Sequence, residues 1–396
     1  MRLVRRHLVA VALGLAVLAA ALAPLPAVMD TVTGAPAGDA YLARSLAYVL
    51  LAPFSSTLDA LTFLSIDRAI ALLVTWIPVL ALAGALRPGT PRRRLARALT
   101  GVALFLAFAT AAVLLPRPVP RLVADEPGVT VLDIHAHTVA SHDGRPGWTP
   151  ERLAAWHAAQ GFQAAYVTDH NVPFAGSTTT PIRLLPGVEW SVYRQHIVAL
   201  GASDSIDRRP YSSDLPGLLG LFGALHAQGA MAIASLPEYW RNHRHELDEF
   251  ALAGVDGFEI VNCAPKGLAL PSSARREVID LARRHDLLVF GASDNHGWGM
   301  VTCVWNLSHQ GAHGFRANYV IARPVALLQG DIPAWTAAYS QPWLMFRSLS
   351  WPERISWLTW IALGAIWRGM PRRKGQRAGL GILARTLGRR PRGTSQ

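Results

Sequence analysis

The chain has 396 residues, 51% of them hydrophobic, and a mean hydropathy of +0.24. This composition excludes a disordered or low-complexity chain and is more apolar than an ordinary soluble domain, so part of the chain is expected in lipid. The formal charge of +12 would suit a nucleic-acid binder, but nine Lys/Arg without an acid lie between Arg368 and Gln396 and five Arg between Arg87 and Arg97; setting these fourteen cations aside leaves −2. The charge therefore reads as membrane topology, and nucleic acid as an unlikely partner.

In chain order, Leu8 to Met29, Ala69 to Leu86 and Ala98 to Pro116 contain no charged residue over 22, 18 and 19 positions. Each is long enough to cross about 30 Å of hydrocarbon as a helix. Arg2, Arg5 and Arg6 before the first run place its amino end in the cytoplasm, with a cleaved signal peptide as the alternative. The apolar stretch 45–65 carries Asp59, and counting it as a span would put the five-Arg block outside the cytoplasm. Three spans are expected, with 45–65 interfacial or re-entrant and everything after Pro116 exported. Residues 117–128 hold several prolines and read as a stiff extended linker.

From Val129 the pattern changes to short β-branched runs alternating with amphipathic helices, which argues for an α/β domain over 129–325 with parallel strands joined by crossovers. Thr149, Pro150 and Gly161 mark the start and stop of one such helix, and others are expected near 241–253 and 272–285. Residues 326–396 form a Trp-rich end with a basic tail; its uncharged core, Ile355 to Trp367, is either interfacial or a short fourth span. The two cysteines, Cys263 and Cys303, are expected as free buried thiols.

Polar residues gather where the strands end, as functional side chains do in parallel β/α folds. His135 and His137 close the first strand and, two apart on an extended chain, point the same way. Asp169 and His170 end the second strand, Glu189 follows "RLLPGV", His196 opens "HIVALG", Glu259 lies in "GFEIVN", and Asp294 and His296 end "LLVFGASDNH". A mixture of imidazole and carboxylate without thiolates suits Zn, Mn or Fe in a site that keeps room for water. One such histidine is ordinarily a hydrogen-bonded side chain; seven or more converging ones are not.

The ordered motifs "DIHAHT", "SHDG", "TDHN", "PGVEWS", "HIVALG" and "GASDNHG" resemble those of the PHP family, the polymerase and histidinol phosphatase metal-dependent phosphoesterases. The resemblance covers 130 to about 300 and implies a distorted (β/α)7-type barrel with divalent ions at the strands' carboxyl ends. Carried over, His135, His137, Glu189 and Asp294 would hold one ion, with Glu189 bridging to a second. Asp143, or its neighbour His142, would hold another ion with His170 and His296, and His196 would join the ion bridged by Glu189. Leu236, in "AIASLPEYW", stands where the family has a ligand histidine, so one or two ions are expected. His243 and His245 are expected to face solvent, and Glu259 to support a ligand from behind.

The implied chemistry is hydrolysis of a phosphate ester, with His170, His196 or Asp294 moving protons and Lys266, Arg145 or Arg241 clamping the phosphate. Trp190 and Trp298 either wall the pocket or fill core. The partners expected are a membrane and a phosphorylated small molecule or lipid or envelope substrate, with the catalytic domain exoplasmic. Carboxylic or carbamic ester hydrolysis and a catalytically inactive metal-binding membrane protein are the alternatives.

Overall fold

The computed structural model describes residues 2–176, 181–192, 195–212, 214–309 and 318–369. The basic tail beyond 369 lies outside the described residues.

Helix α1 (Arg2–Ala20) opens the chain, followed by the two-residue strand β1 (Met29–Asp30) and β2 (Ala40–Ala43). The expected first span, 8–29, is thus too long. Pro24 and Pro26 cannot continue a helix, and Met29 already pairs with the main sheet. The apolar part of α1, His7–Ala20, is shorter than a full span. The stretch 45–65 forms α2 (Leu46–Leu50) and α3 (Ala52–Thr62), folded onto the body by the side chains of α3. Asp59 is buried, where it accepts from Tyr48 at 2.8 Å and pairs with Arg117 at 3.0 Å.

Among the described residues two helices are long and apolar enough to cross a membrane, α4 (Ile66–Ala85) and α5 (Pro91–Leu114), against the three expected. They pack on each other as a hairpin. Four of the five Arg of the basic block, Arg92, Arg93, Arg94 and Arg97, ride on the first turns of α5, capped by Thr90. The expected linker is structured instead of merely extended, since β3 (Arg121–Ala124) pairs antiparallel with β2.

The α/β region follows as β4 (Thr130–Asp133), α6 (Pro150–Gln160), β5 (Ala164–Tyr166), β6 (Arg183–Leu185), β7 (Gly187–Val192), β8 (Gln195–Leu200), α7 (Leu215–Ala227) and β9 (Met231–Ala234). Two short helices, α8 (Trp240–His243) and α9 (Leu247–Leu252), replace the single one expected near 241–253. Then come β10 (Gly257–Asn262), α10 (Ser272–Arg284), β11 (Leu288–Ala292), β12 (Val304–Ser308), β13 (Asn318–Ala322), α11 (Pro324–Leu327), α12 (Ala337–Ser348) and α13 (Trp351–Gly369). Gly161 ends α6 at φ 98°, the left-handed cap that its position in the sequence predicts.

The strands form two main sheets, ordered β1-β13-β12-β4-β5-β6 and β11-β10-β9-β8-β7, and neither closes into the expected barrel. Pairing is parallel in β4–β5–β6 and β9–β10–β11 and antiparallel elsewhere. At the seam between the sheets Asn306 takes the place of a ladder. Its amide donates to the Gly291 and Leu132 carbonyls at 2.7 and 3.2 Å and accepts from the Gly291 N–H at 2.9 Å. A Cβ on Gly291 would sit 2.2 Å from Val304, so the sheets meet this closely only through glycine. Beyond the seam, single bridges Ala136–Asn295 and His170–Glu189 join the strand tips.

Helix α13 runs antiparallel to α1, with Arg354 donating to the Val17 carbonyl near one end and Gly369 beside His7 at the other. At 19 residues it extends about 28 Å, longer than the expected 355–367 segment.

Cys263 and Cys303 form a disulfide, which corrects the expectation of free thiols. One follows β10 and the other precedes β12, and the fold brings their Cα atoms within 5.7 Å. Their separation of 40 residues closes a long loop, worth about 4 kcal/mol in a chain-entropy account. Replacing both with serine is expected to lower the unfolding free energy of the chain by that order, read from denaturant unfolding; an unchanged unfolding free energy would remove the crosslink from the fold's stabilising interactions.

Candidate metal centre

The strand tips place the titratable side chains. His135 and His137 follow β4 and share a face; His170 follows β5; Glu189 sits on β7, and His196 on β8 pairs in register with Ser191. Asp294 follows β11 at φ 46°, a left-handed conformation rare for a side-chain-bearing residue. Its N–H donates to the His135 carbonyl at 2.9 Å, and the His137 N–H donates to Asn295 at 3.1 Å. The backbone thus laces the first and last of these tips together.

The donor atoms converge. His135 Nε2 and His137 Nε2 are 2.9 Å apart, and Glu189 Oε2 lies 3.3 and 3.4 Å from them. Asp294 Oδ1 completes the group at 3.6 and 3.1 Å. Beside it, His296 Nε2 and His170 Nε2 approach Asp143 at 3.3 and 3.6 Å. His170 Nδ1 and His196 Nδ1 reach Glu189 at 2.8 and 2.6 Å. Among the described residues, four overlapping triads of these side chains, one of them including His142, bring their ligand atoms within 4.8 Å of one another, close enough for a shared metal ion. Both His142 and Asp143 are exposed, and it is Asp143 that lies within 3.6 Å of His170 and His296.

The surroundings fix which imidazole nitrogens face inward. Glu259 Oε1 lies 2.6 Å from His135 Nδ1, and Ser141 Oγ lies 2.8 Å from His137 Nδ1, so both rings turn Nε2 toward the cluster. Glu259 is itself held by Ser235 at 2.6 Å and Asn262 at 3.1 Å, and Asn262 also donates to Asp294. Asp133 and Asp169 serve the frame: Asp133 accepts from His157 and the Ser293 N–H, and Asp169 from Thr138 and Ser141.

A metal ion fits this donor set. His170 Nδ1, Glu189 Oε2, Asp294 Oδ1 and His296 Nε2 are buried without a properly directed hydrogen bond, although each lies within reach of another charged group. An orphaned buried polar atom costs about 1–3 kcal/mol, and four in one place is the pattern that a cation would relieve. The electrostatics agree. Burial opposes charge on Glu189 and Asp294, but the surrounding histidines hold both carboxyls well below their usual range. Burial, with His296 and His135 nearby, lowers His137 to about 3, leaving a neutral imidazole with a lone pair to give. Burial also opposes protonation of His296 and His135, yet neighbouring carboxylates outweigh it, pushing His296 up to about 9 and His135 well above its ordinary value. Protons on these rings do the neutralising that a divalent cation would do.

All eight residues expected as ligands meet here, and the three expected phosphate clamps separate. Lys266 lines the cavity of about 210 Å³ over the cluster, with Nζ 4.0 Å from Glu238 and 5.6 Å from the centre of the Tyr239 ring. Arg145 does not line it, because its guanidinium donates to the Gly297 carbonyl at 3.2 Å and lies over Trp298. Arg241 lines an adjoining groove instead. Leu236 is buried in the core, and so is Trp190, whereas Trp298 is half-exposed. His243 is buried against Glu246 at 2.7 Å, contrary to its expected exposure, while His245 faces solvent. Glu238 was not anticipated. It lines the cavity two residues beyond Leu236, and burial, with the Asp294 and Glu189 carboxylates, pushes it up to about 7.

No family model matches the chain, and no curated protein matches it. Among solved structures, a chain from Bifidobacterium adolescentis described as a candidate metal-dependent phosphoesterase is 18% identical with a TM-score of 0.31, covering 42% of this chain and 88% of its own. PsfC from Pseudomonas syringae is 17% identical with a TM-score of 0.38, covering 51% of this chain and 94% of its own. At these scores neither neighbour fixes the reaction of this chain.

Proposed function

We propose that the chain is a membrane-anchored, metal-dependent hydrolase of phosphate esters, as the PHP-like motifs imply. The observation that carries this reading is the convergence of His135 and His137 on each other and on Glu189 and Asp294 at 2.9–3.6 Å, all buried, with Glu189 Oε2 and Asp294 Oδ1 lacking a directed hydrogen bond. These four would hold one ion, and Asp143, His170 and His296 a second, with Glu189 shared and His196 beside it. Bound divalent ions supply Lewis acidity, polarising a phosphoryl oxygen and bringing the pKa of water toward about 7.

The chain's own residues do the rest. Lys266, a mobile point charge on the cavity wall, attracts the anionic ester and favours phosphate over a neutral carboxylic ester. His196 gives Nδ1 to Glu189, which leaves Nε2 to hold or release a proton at the departing oxygen. Asp294 and His170 hold the ligand geometry and the local charge. Tyr239, its ring 4.7 Å from that of His196, covers that side of the cavity.

For the anchor, α4 and α5 each carry an apolar stretch of 18 residues, yet only 17% and 11% of those stretches are buried. A soluble protein would cover such faces. The Arg-rich end of the hairpin would lie in the cytoplasm and the α/β region on the opposite side. The Cys263–Cys303 disulfide suits an oxidising compartment there.

His137→Ala is expected to abolish metal-dependent hydrolysis of p-nitrophenyl phosphate esters and to remove bound metal, read by elemental analysis; retained turnover would refute the assignment. Metal loading must expel the protons held by His135 and His296, so affinity is expected to climb with pH below about 9, where His296 loses its proton unaided. Chelator competition measures this, and a pH-independent affinity would contradict it. A reporter fused after Gly128 is expected to work only outside the cytoplasm; a cytoplasmic signal would reverse the topology.

A further inference from the structure

We propose that the ester cleaved at this site is a membrane lipid phosphate, bound with its phosphate at the histidine–carboxylate cluster and a hydrocarbon chain in an apolar groove running from the cluster to α4. This rests on the metallohydrolase reading above and names its substrate class.

The groove is a cavity of about 650 Å³ contiguous with the one over the cluster. Asp143, Glu238, Lys266, Asp294 and His296 line both. Away from these charged groups the lining turns apolar. Ile66, Ile70 and Leu73 line it from α4, Val113 from the last turn of α5, and Leu61 from the end of α3. Positions 66, 70 and 73 follow the four- and three-residue steps of a single helix face. They carry the groove about 10 Å along the axis of α4, into the helix that would enter the bilayer. Ile66 and Ile70 are 43% and 54% exposed, so the groove is open on that side. Trp298 and Val301 contribute to the opposite wall.

One ligand chemistry matches both ends: an anionic phosphate joined to an alkyl or acyl chain. A small polar phosphate would leave the apolar arm in contact with water, whereas a chain fills it and continues into the hydrocarbon beside α4. Hydrolysis forms a bond from water oxygen to phosphorus and breaks the bond from phosphorus to the lipid oxygen. The departing oxygen takes up a proton, so lipid alcohol and the hydrated phosphate are the products.

Binding tests this apart from turnover. Butyl- and octylphosphonate, which cannot be hydrolysed, are titrated calorimetrically into the metal-loaded full-length protein in nanodiscs. Burial of methylenes predicts about fourfold tighter binding for each one fully buried, so octylphosphonate should bind at least about thirtyfold more tightly. Ile70→Trp, which narrows the groove outside the cluster, should remove most of that advantage, read as the ratio of the two affinities. Equal binding of the two phosphonates, or an advantage that Ile70→Trp does not alter, would overturn the groove. A chain-length advantage with no turnover of any phosphate ester, short ones included, would keep the lipid phosphate site and refute only the hydrolase reading. Finally, phosphatidic acid in the same nanodisc as the protein should be hydrolysed, and phosphatidic acid in separate vesicles should not; equal rates would overturn entry from the bilayer.

Discussion

A carboxylate withdrawn from water costs several kcal/mol unless positive or hydrogen-donating partners meet it, and Glu189 is 1% exposed in the middle of the α/β region. Four imidazoles meet it, those of His135, His137, His170 and His196, at 2.6 to 3.4 Å. These rings come from both sheets, so the cluster exists only where the two sheets are brought tip to tip. Gly291 and Asn306 make that approach possible at the seam, and the His170–Glu189 bridge completes it at the site.

The arrangement separates two tasks. Glu259, Ser141, Asn262 and Asp169 lie behind the converging groups and set ring orientation or loop shape, while the converging groups keep their remaining lone pairs toward one small volume. Lys266 and Glu238 stand at its edge, where the polar cavity and the apolar one meet. The charged chemistry and the apolar surface therefore share a wall.

Much of the cluster was legible because strand period and motif order are local properties. His135 and His137, two apart at a strand end, fall on one face whatever the rest of the fold does, and "GASDNHG" places Asp294 and His296 at another strand's end. The orientation of loop cations was not legible: Arg145 follows β4 and Arg241 follows β9, but their directions depend on Gly297, Trp298 and the adjoining groove. Glu238 was not legible either, because nothing local says that the chain turns the second residue after Leu236 into the cavity. The register that leaves the sheets open, and the meeting of Cys263 with Cys303, are both long-range outcomes. The overlong first span is a different failure, since an uncharged run hid two helix-ending prolines.

The buried contacts beneath the α/β region have a mechanical consequence. Asp59 on α3 grips Arg117, and Arg323 lies over Phe63 at 5.2 Å. Arg68, at the start of α4, donates to the Ile332 carbonyl and to Ser340 at 3.1 and 2.7 Å. Breaking such buried pairs costs several kcal/mol, so these clasps leave little play between the helical hairpin and the sheets. If the hairpin is embedded, the reactive centre rides at a set height above the bilayer surface, like a tool bolted to its bench. Material to be processed must then rise to meet it.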